Sequence, residues 1–233
     1  MYRSTIPITT HPHPVTALAF DPVSDSIWSG DNAGTVLALH STHAIRGVSF
    51  PVGGDLPVKQ LAVADNHVRA LGLAGHALGA WAKGGMNKWS FRCPSDPTRP
   101  SAQTISAMSP STFSSNIVAA STTTPDIVLL NAITGSVLRQ APVSSLVTHL
   151  QFSHSTLLCA SADGYVRAHD PRTALRRENG DNAVLAHASG LQDLQATGNF
   201  FFTIGWSSRY LSSLAHLSHS PLLDAVTNSP IRS

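Results

Sequence analysis

The sequence has little charge, and this shortage argues against binding through a general electrostatic field. Charged residues make up 12% of the 233 residues, about half the usual share, and the net charge is +2, from 15 Lys and Arg against 13 Asp and Glu. So small an excess provides no broad basic surface for nucleic acid or an acidic membrane. Partners must therefore be recognised by shape and local chemistry.

Cysteines and long apolar runs are also scarce. The two cysteines, Cys93 and Cys159, lack the Cys-x-x-Cys spacing of a zinc or redox site, so we expect inert thiols in a reducing compartment. The richest apolar window, residues 61–82, is interrupted by Asp, Asn, His and Arg. The first ten residues lack the apolar core of a signal peptide. The sequence therefore predicts a cytoplasmic chain with no membrane contact.

Metal and catalytic motifs are missing as well. Of the 12 histidines, the tightest pairs are His11 with His13 and His216 with His219, near the two ends of the chain, whereas zinc needs three or four converging ligands. Ser207 lies in IGWSSR, which is not a Gly-x-Ser-x-Gly motif, and the glycine-rich segments lack the spacing of a phosphate loop. We expect no cofactor, no metal, no small-molecule substrate and no enzymatic activity in this chain.

What the sequence does contain is a repeat. Five alternating segments begin 43, 47, 42 and 44 residues apart, close to the roughly 40 to 45 residues of a four-stranded propeller blade. A second apolar arm follows each opening segment, and a third arm follows in all but the last. Residues 61–82 also fit a helix, but three internal glycines, each costing roughly 1 kcal/mol, and the phase of the repeat favour strands. The five segments begin at Val15, Val58, Ile105, Val147 and Leu191.

Two hairpins show this repeat most clearly. Residues 157–172 read LLCASADGYVRAHDPR, in which two apolar arms flank Asp163 and Gly164, and such a pair is typical of a two-residue type I′ turn. Residues 26–40 read SIWSGDNAGTVLALH and have the same pattern around a polar turn. The chain is therefore predicted to be all-β, with strands joined by tight turns.

Residues 14–209 resemble the amino-terminal WD40 domain of the catalytic subunit of the poly(A) nuclease, or PAN, deadenylation complex. The strings VTALAFDPVSDSIWSGDNAGTV, ADGYVRAHDPRT and FFTIGWSSR carry the resemblance. It implies a WD40-like β-propeller segment over residues 1–210, with about four to five blades of a seven-bladed ring, and a divergent tail of unknown structure over residues 211–233. The nuclease domain of that family would lie beyond this chain, which we therefore expect to be truncated.

The resemblance also implies a function. The chain would be a non-catalytic scaffold that helps the complex engage its pseudokinase regulatory subunit and poly(A) RNA coated by poly(A)-binding protein. Messenger RNA tails would then be shortened in the cytoplasm, with P-bodies as a second location. A generic WD-repeat adaptor unrelated to deadenylation is the alternative. In either case we expect the incomplete ring to expose apolar strands and to self-associate.

WD repeats imply a set of structural residues too. In that pattern a His before the opening strand reaches a turn Asp and a Ser or Thr of the second strand, and such buried polar groups must bond to one another. In that pattern a Trp-Asp pair also ends the third strand. The fourth repeat keeps only the Asp, in His169-Asp170, and the first repeat, with Leu39-His40, keeps neither. The matching positions are His13, Ser29, Asp31, Gly34, Ser161, Asp163, Gly164, Asp170 and His187.

One basic cluster leaves two interpretations open. Arg167, Arg172, Arg176 and Arg177 extend from the third strand of the fourth repeat into the next loop. They offer contacts to RNA phosphates or to an acidic partner, or they are a solvated loop whose Arg stems cover apolar surface. No aromatic residue is expected beside them, which makes a poor stacking platform for single-stranded RNA.

Overall fold

The described part of the chain consists of strands and turns. A computed structural model describes residues 11–40, 45–52, 56–64, 67–72, 77–93, 105–110, 116–124, 126–172, 183–197, 200–205 and 215–216. Among these residues no helix is long and apolar enough to cross a membrane. They form five antiparallel sheets, which fall into two compact units.

The first unit, residues 1–104 with Ile133–Gly135, contains two sheets of four strands each. In both sheets the strands pair in chain order, so each sheet is a simple meander. Sheet 1 consists of β1 (Val15–Phe20), β2 (Ser26–Asp31), β3 (Thr35–His40) and β4 (Ile45–Pro51). Sheet 2 consists of β5 (Val58–Ala64), β6 (His67–Gly72), β7 (Ala77–Ala82) and β8 (Asn87–Arg92).

The second unit, residues 105–132 and 136–233, contains three sheets with the same meander order. Sheet 3 consists of β9 (Ile105–Pro110), β10 (Ile117–Thr122), β11 (Asp126–Asn131) and β12 (Val137–Pro142). Sheet 4 consists of β13 (Val147–Ser153), β14 (Thr156–Ser161), β15 (Tyr165–His169) and β16 (Ala183–Leu185). Sheet 5 consists of β17 (Leu191–Thr197), β18 (Phe200–Gly205) and β19 (Ala215–His216).

The predicted repeat is confirmed strand by strand. The opening strands β1, β5, β9, β13 and β17 begin at the five residues at which the alternating segments begin. The all-β, WD40-like propeller fold is thus correct, and the described residues of the 61–82 segment form strands and not a helix. Two features extend beyond the sequence pattern: a fourth strand in four of the sheets, and β19, which takes two residues of the expected tail and pairs them with β18.

Neighbouring sheets within each unit pack by one rule. The inner strands β2 and β3 cover Val58 and Leu61 of the next opening strand, and β14 covers Leu191 and Leu194 in the same way. TLLCAS of β14, in the middle sheet of the second unit, is buried along its apolar run because sheets 3 and 5 lie on its two faces. Burial of an opening strand therefore depends on the sheet that precedes it.

A bulge in the opening strand adds a polar link to this packing. The register of β1 shifts between Val15 and Ala17, and that of β13 shifts at the equivalent place. The bulged residue is Thr16 in β1, and its hydroxyl donates to the Val58 carbonyl of sheet 2 at 2.6 Å. Thr148 in β13 donates to the Leu191 carbonyl of sheet 5 at 2.7 Å. A threonine at the second position of the opening strand thus links sheet 1 to sheet 2 and, in the second unit, sheet 4 to sheet 5.

The hairpin turns differ from the predicted type I′ geometry. Gly164 has a φ of +86° and Gly34 a φ of +79°, whereas His154 is the one non-glycine residue with positive φ in the described part of the chain. A type I′ turn needs positive φ at both central residues, so Asp163 excludes it. The Gly164 amide donates to the Ser161 carbonyl, and the loop spans three residues, with glycine in the left-handed position that closes it.

Candidate functional site

Sheet 1 holds a buried triad of polar side chains at the turn between β2 and β3. His11 joins Asp31 Oδ2 through Nδ1 at 2.9 Å and Ser29 Oγ through Nε2 at 2.8 Å. The second carboxylate oxygen, Oδ1 of Asp31, accepts the backbone amides of Ala33 and Thr35 at 3.0 and 2.8 Å. The triad therefore connects the chain before β1 to the hairpin that β2 and β3 form.

The histidine of this triad is His11, so the sequence assignment of His13 is wrong. His13 is exposed, while the side chain of His11 is 3% exposed. The Asn32 amide donates to the carbonyl of Pro14 at 2.9 Å, which holds the segment before β1 next to the β2–β3 turn. In this position His11, four residues before Val15, reaches the carboxylate of Asp31. Both residues lie in HPHP, where spacing alone does not tell them apart.

The order of bonds in the triad is that of a hydrolase, but its burial argues against catalysis. Carboxylate, imidazole and hydroxyl are linked through Nδ1 and Nε2 as in a Ser-His-Asp site. Ser29 is only 3% exposed, and its hydroxyl also lies 3.3 Å from the Leu37 carbonyl, to which it donates. The triad thus holds the hairpin through side-chain contacts that are shielded from solvent.

Sheet 5 contains a reduced version of the same arrangement. His187 lies four residues before Leu191, and its Nε2 is 3.0 Å from the Thr203 hydroxyl of β18. Gly205 stands where sheet 1 has its aspartate, since each is paired with the first residue of the opening strand. A Cβ on Gly205 would lie 2.6 Å from the His187 ring, so the ring occupies the space that a longer side chain would need.

Sheet 4 uses the equivalent turn differently. Ser161, and not Asp163, holds the position of Asp31, because Ser161 is paired with Val147. Asp163 instead accepts two hydrogen bonds from Arg167, at 3.1 and 2.7 Å, so the assignment of Asp163 to a histidine triad is wrong. Burial alone would raise the pKa of Asp163, but the bonds from Arg167 and the Tyr165 amide outweigh it and lower the pKa.

The predicted basic cluster does not form one patch. The expectation that no aromatic residue lies beside these arginines is wrong for Arg167, which lies over the ring of Tyr165 at 5.0 Å from its centroid and binds Asp163 at the β14–β15 turn of sheet 4. Arg172 lies at the opposite end, where its guanidinium binds Asp170 at 3.1 Å. Each of these two arginines has a carboxylate partner, which weakens the case for RNA contact. Arg176 and Arg177 lie outside the described residues.

Asp21, which was not among the structural residues predicted from the sequence, links the two sheets of the first unit. Asp21 accepts the Lys83 ammonium at 2.6 Å and the Trp28 indole N–H at 3.2 Å, together with the amides of Val23 and Ser24. Burial alone would raise its pKa, but these hydrogen bonds, led by Lys83, hold the pKa well below its usual range. Its position between strands, in DPVSDS, has the Asx-turn composition that identifies such a residue.

Within the part of the chain that the structure describes, no three His, Cys, Asp or Glu side chains converge to hold an ion. His11 binds the side chains of Asp31 and Ser29, Asp31 also accepts two backbone amides, and the nearby His13 is exposed. The polar clusters therefore act as internal braces of the sheets.

The Asp31 brace predicts a specific acid sensitivity. Burial alone would raise the pKa of Asp31, but the amide of Thr35, His11 and the amide of Ala33 outweigh it and lower the pKa. An aspartate whose pKa is lower in the folded chain than in the unfolded chain stabilises the fold at pH values above its unfolded-state pKa, which is near 4. This stabilisation is lost progressively as the pH falls below that value. We expect Asp31→Asn to cost about 2 kcal/mol of unfolding free energy at pH 7. The gap to the parent chain should narrow as the pH falls below 4 and close only below the folded-state pKa of Asp31.

Urea unfolding at a series of pH values measures this difference. The control is Asp25→Asn, at an exposed aspartate in the β1–β2 turn, which should shift the unfolding free energy by less than about 0.5 kcal/mol at any pH. A gap between parent and Asp31→Asn that stays constant from pH 7 to pH 3 would contradict the role of the ionised carboxylate.

Comparisons with known proteins agree with this fold. No protein-family model matches the sequence. The catalytic subunit PAN2 of the PAN2–PAN3 deadenylation complex of Cryptococcus neoformans is 32% identical over 232 residues, which cover 94% of this chain and 18% of that protein. Its counterpart in Phaeosphaeria nodorum is 23% identical, with 95% and 18% covered. The chain thus spans about a fifth of the length of these curated relatives.

Solved structures give the same architecture. The Neurospora crassa Pan2 WD40 domain matches with a TM-score of 0.73 at 20% identity, covering 94% of this chain and 67% of that one. The computationally designed Ika8 protein matches with a TM-score of 0.71 at 21% identity, covering 94% and 63%. At such identities the likeness shows the fold alone, and designed proteins share it with natural ones.

Proposed function

This chain is homologous over 94% of its length to the catalytic subunits of PAN2–PAN3 deadenylation complexes, and from this premise we propose that it is a non-catalytic WD40 scaffold segment of a deadenylase subunit. In this role it supports assembly of the complex and the shortening of messenger RNA poly(A) tails. The observation that carries the proposal is the 32% identity to the Cryptococcus neoformans protein, which extends along the repeat.

The chemistry of the described residues supports a positioning role over a catalytic one. In sheet 1 a hydroxyl and an imidazole in the arrangement of a nucleophile and its base, Ser29 and His11, are buried and bonded to each other. Loops that join rigid strands are the usual binding elements of such folds. The work of the chain is then to present these turns, with the sheets as a fixed frame.

The proposed partners are the regulatory pseudokinase, PAN3, and poly(A)-binding protein on poly(A) RNA, met in the cytoplasm and in P-bodies. The test uses the whole chain as bait in a Cryptococcus neoformans extract, with the retained proteins identified by mass spectrometry. We expect PAN3 to be enriched on the order of tenfold over the control bait, which corresponds to ~1.4 kcal/mol of preferential binding.

A suitable control bait is the computationally designed Ika4 protein. It covers 73% of this chain with a TM-score of 0.59 and is itself covered to 99%, so it offers similar sheets. Nuclease treatment of the extract separates direct capture of PAN3 from capture through RNA. Enrichment of other proteins with neither PAN3 nor poly(A)-binding protein among them would overturn the proposal and favour a generic WD-repeat adaptor.

A further inference from the structure

The opening strand β1 has an apolar face that its counterpart β13 buries. The two strands read VTALAF and VTHLQF, and three positions on the covered face are apolar in both. In β13 these side chains are 1%, 1% and 3% exposed, whereas in β1 they are 48%, 65% and 79% exposed. The residues in β13 are Val147, Leu150 and Phe152, and those in β1 are Val15, Leu18 and Phe20.

The difference follows from what covers the strand. In the second unit, Ala107, Ala119 and Leu129 of sheet 3 pack on the β13 residues. Among the described residues of the first unit, no sheet packs on β1 in this way, and its three apolar side chains are exposed. We name Val15, Leu18 and Phe20 the acceptor face.

The far end of the repeat exposes the complementary half of the same contact. Leu158 and Ala160 in β14 cover sheet 5 and are 1% and 0% exposed. The residues at the same positions of β18 are Phe202 and Ile204, which are 45% and 44% exposed. We name Phe202 and Ile204 the donor face. Each face is thus one half of a contact that the chain makes repeatedly within its own units.

A polar clamp accompanies the apolar contact and recurs in the same register. Gln151 in β13 binds the backbone of Ala196 twice: its Nε2 donates to the carbonyl at 3.2 Å, and its Oε1 accepts the amide at 2.6 Å. Gln195 stands at the position of Gln151 in β17 and is exposed. The position of Ala196, sixth in its strand, is that of Phe20 in β1. The donor side therefore carries the glutamine that such a clamp requires.

We propose that the donor face of one copy of this chain binds the acceptor face of a second copy. Phe202 and Ile204 cover Leu18 and Phe20, and Gln195 holds the backbone of Phe20 as Gln151 holds that of Ala196. A second copy fits because both halves of the contact occur on one chain, each matched in position to a pair that is already buried in it. The contact is head-to-tail, so it forms a ring if the rotation closes and a filament if it does not.

Two variants and their mixture test this contact on the full chain. Leu18→Glu blocks the acceptor face and leaves the donor face intact, and Ile204→Glu does the reverse. Light scattering after size-exclusion chromatography should show assemblies for the parent chain that grow with protein concentration, and monomers for each variant. An equimolar mixture should give a one-to-one dimer, because each variant keeps the half that the other has lost.

The controls separate this contact from general stickiness and from loss of folding. Met86→Glu changes a side chain that is 60% exposed outside both faces, and it should assemble like the parent. Gln195→Ala, a small change at an exposed site, should weaken assembly several-fold without altering the circular dichroism spectrum. A parent chain that stays monomeric at all concentrations, or a mixture that forms no dimer, would overturn the proposal.

Discussion

Phe152→Ala is expected to lower the free energy of unfolding by about 3 to 5 kcal/mol, while Phe20→Ala, at the same position of the repeat, changes it by less than about 0.5 kcal/mol. Phe152 is 3% exposed in the core between sheets 3 and 4, so removing its ring leaves a cavity. Phe20 is 79% exposed, so little of its ring surface is buried on folding. The pair isolates the effect of the covering sheet, since the residue type and its position in the strand are the same.

Chemical denaturation of both variants at low protein concentration, where assembly is negligible, measures the two costs. Phe152→Leu is a milder replacement that keeps most of the apolar volume and should cost about half as much or less. Equal losses for Phe20→Ala and Phe152→Ala would contradict the described packing, because they would mean that β1 is covered as β13 is.

The strands were predictable from the sequence because their signal is local. Alternation and apolar runs are set by whether a strand has a sheet on each face, and the opening strands start where that alternation starts. The fourth strands lie at the outside of the sheets, where exposure lets the composition vary. In β12, for example, four consecutive residues are exposed, and VLRQAP gives no apolar period.

The polar clusters were less predictable because their geometry depends on register. Asp31 and Asp163 both lie in turn motifs, but one is paired with the first residue of an opening strand and the other comes two positions after that site. Similarly, His11 and His13 lie in the same HPHP segment, and only the structure shows that His11 is the one that binds the Asp31 carboxylate. A sequence repeat aligned by strand starts, and not by turn motifs, would have placed Ser161 against Asp31.

Gly164→Ala is expected to destabilise the chain on the order of 3 to 5 kcal/mol, because the turn has no room for a methyl group. A Cβ at this position would lie 1.9 Å from the carbonyl oxygen of His187, and that atom belongs to the backbone. The φ of +86° adds strain of about 1 to 2 kcal/mol for any L side chain. The Gly164 carbonyl also accepts the amides of Ala186 and His187, at 3.0 and 3.2 Å.

Moving the segment before β17 away from this turn would therefore break two backbone hydrogen bonds and displace His187 from Thr203, at about 1 kcal/mol for each bond. Gly84→Ala is the matched control, since a Cβ there meets nothing within 4 Å, and we expect a change within about 0.5 kcal/mol. Thermal and urea unfolding of the two variants give the comparison. If Gly164→Ala were as mild as Gly84→Ala, the link between the sheet 4 turn and the segment leading into sheet 5 would not be part of the folded chain. A large loss confined to Gly164→Ala would instead show that this turn couples sheets 4 and 5, as Thr148 and Gln151 do along the strands.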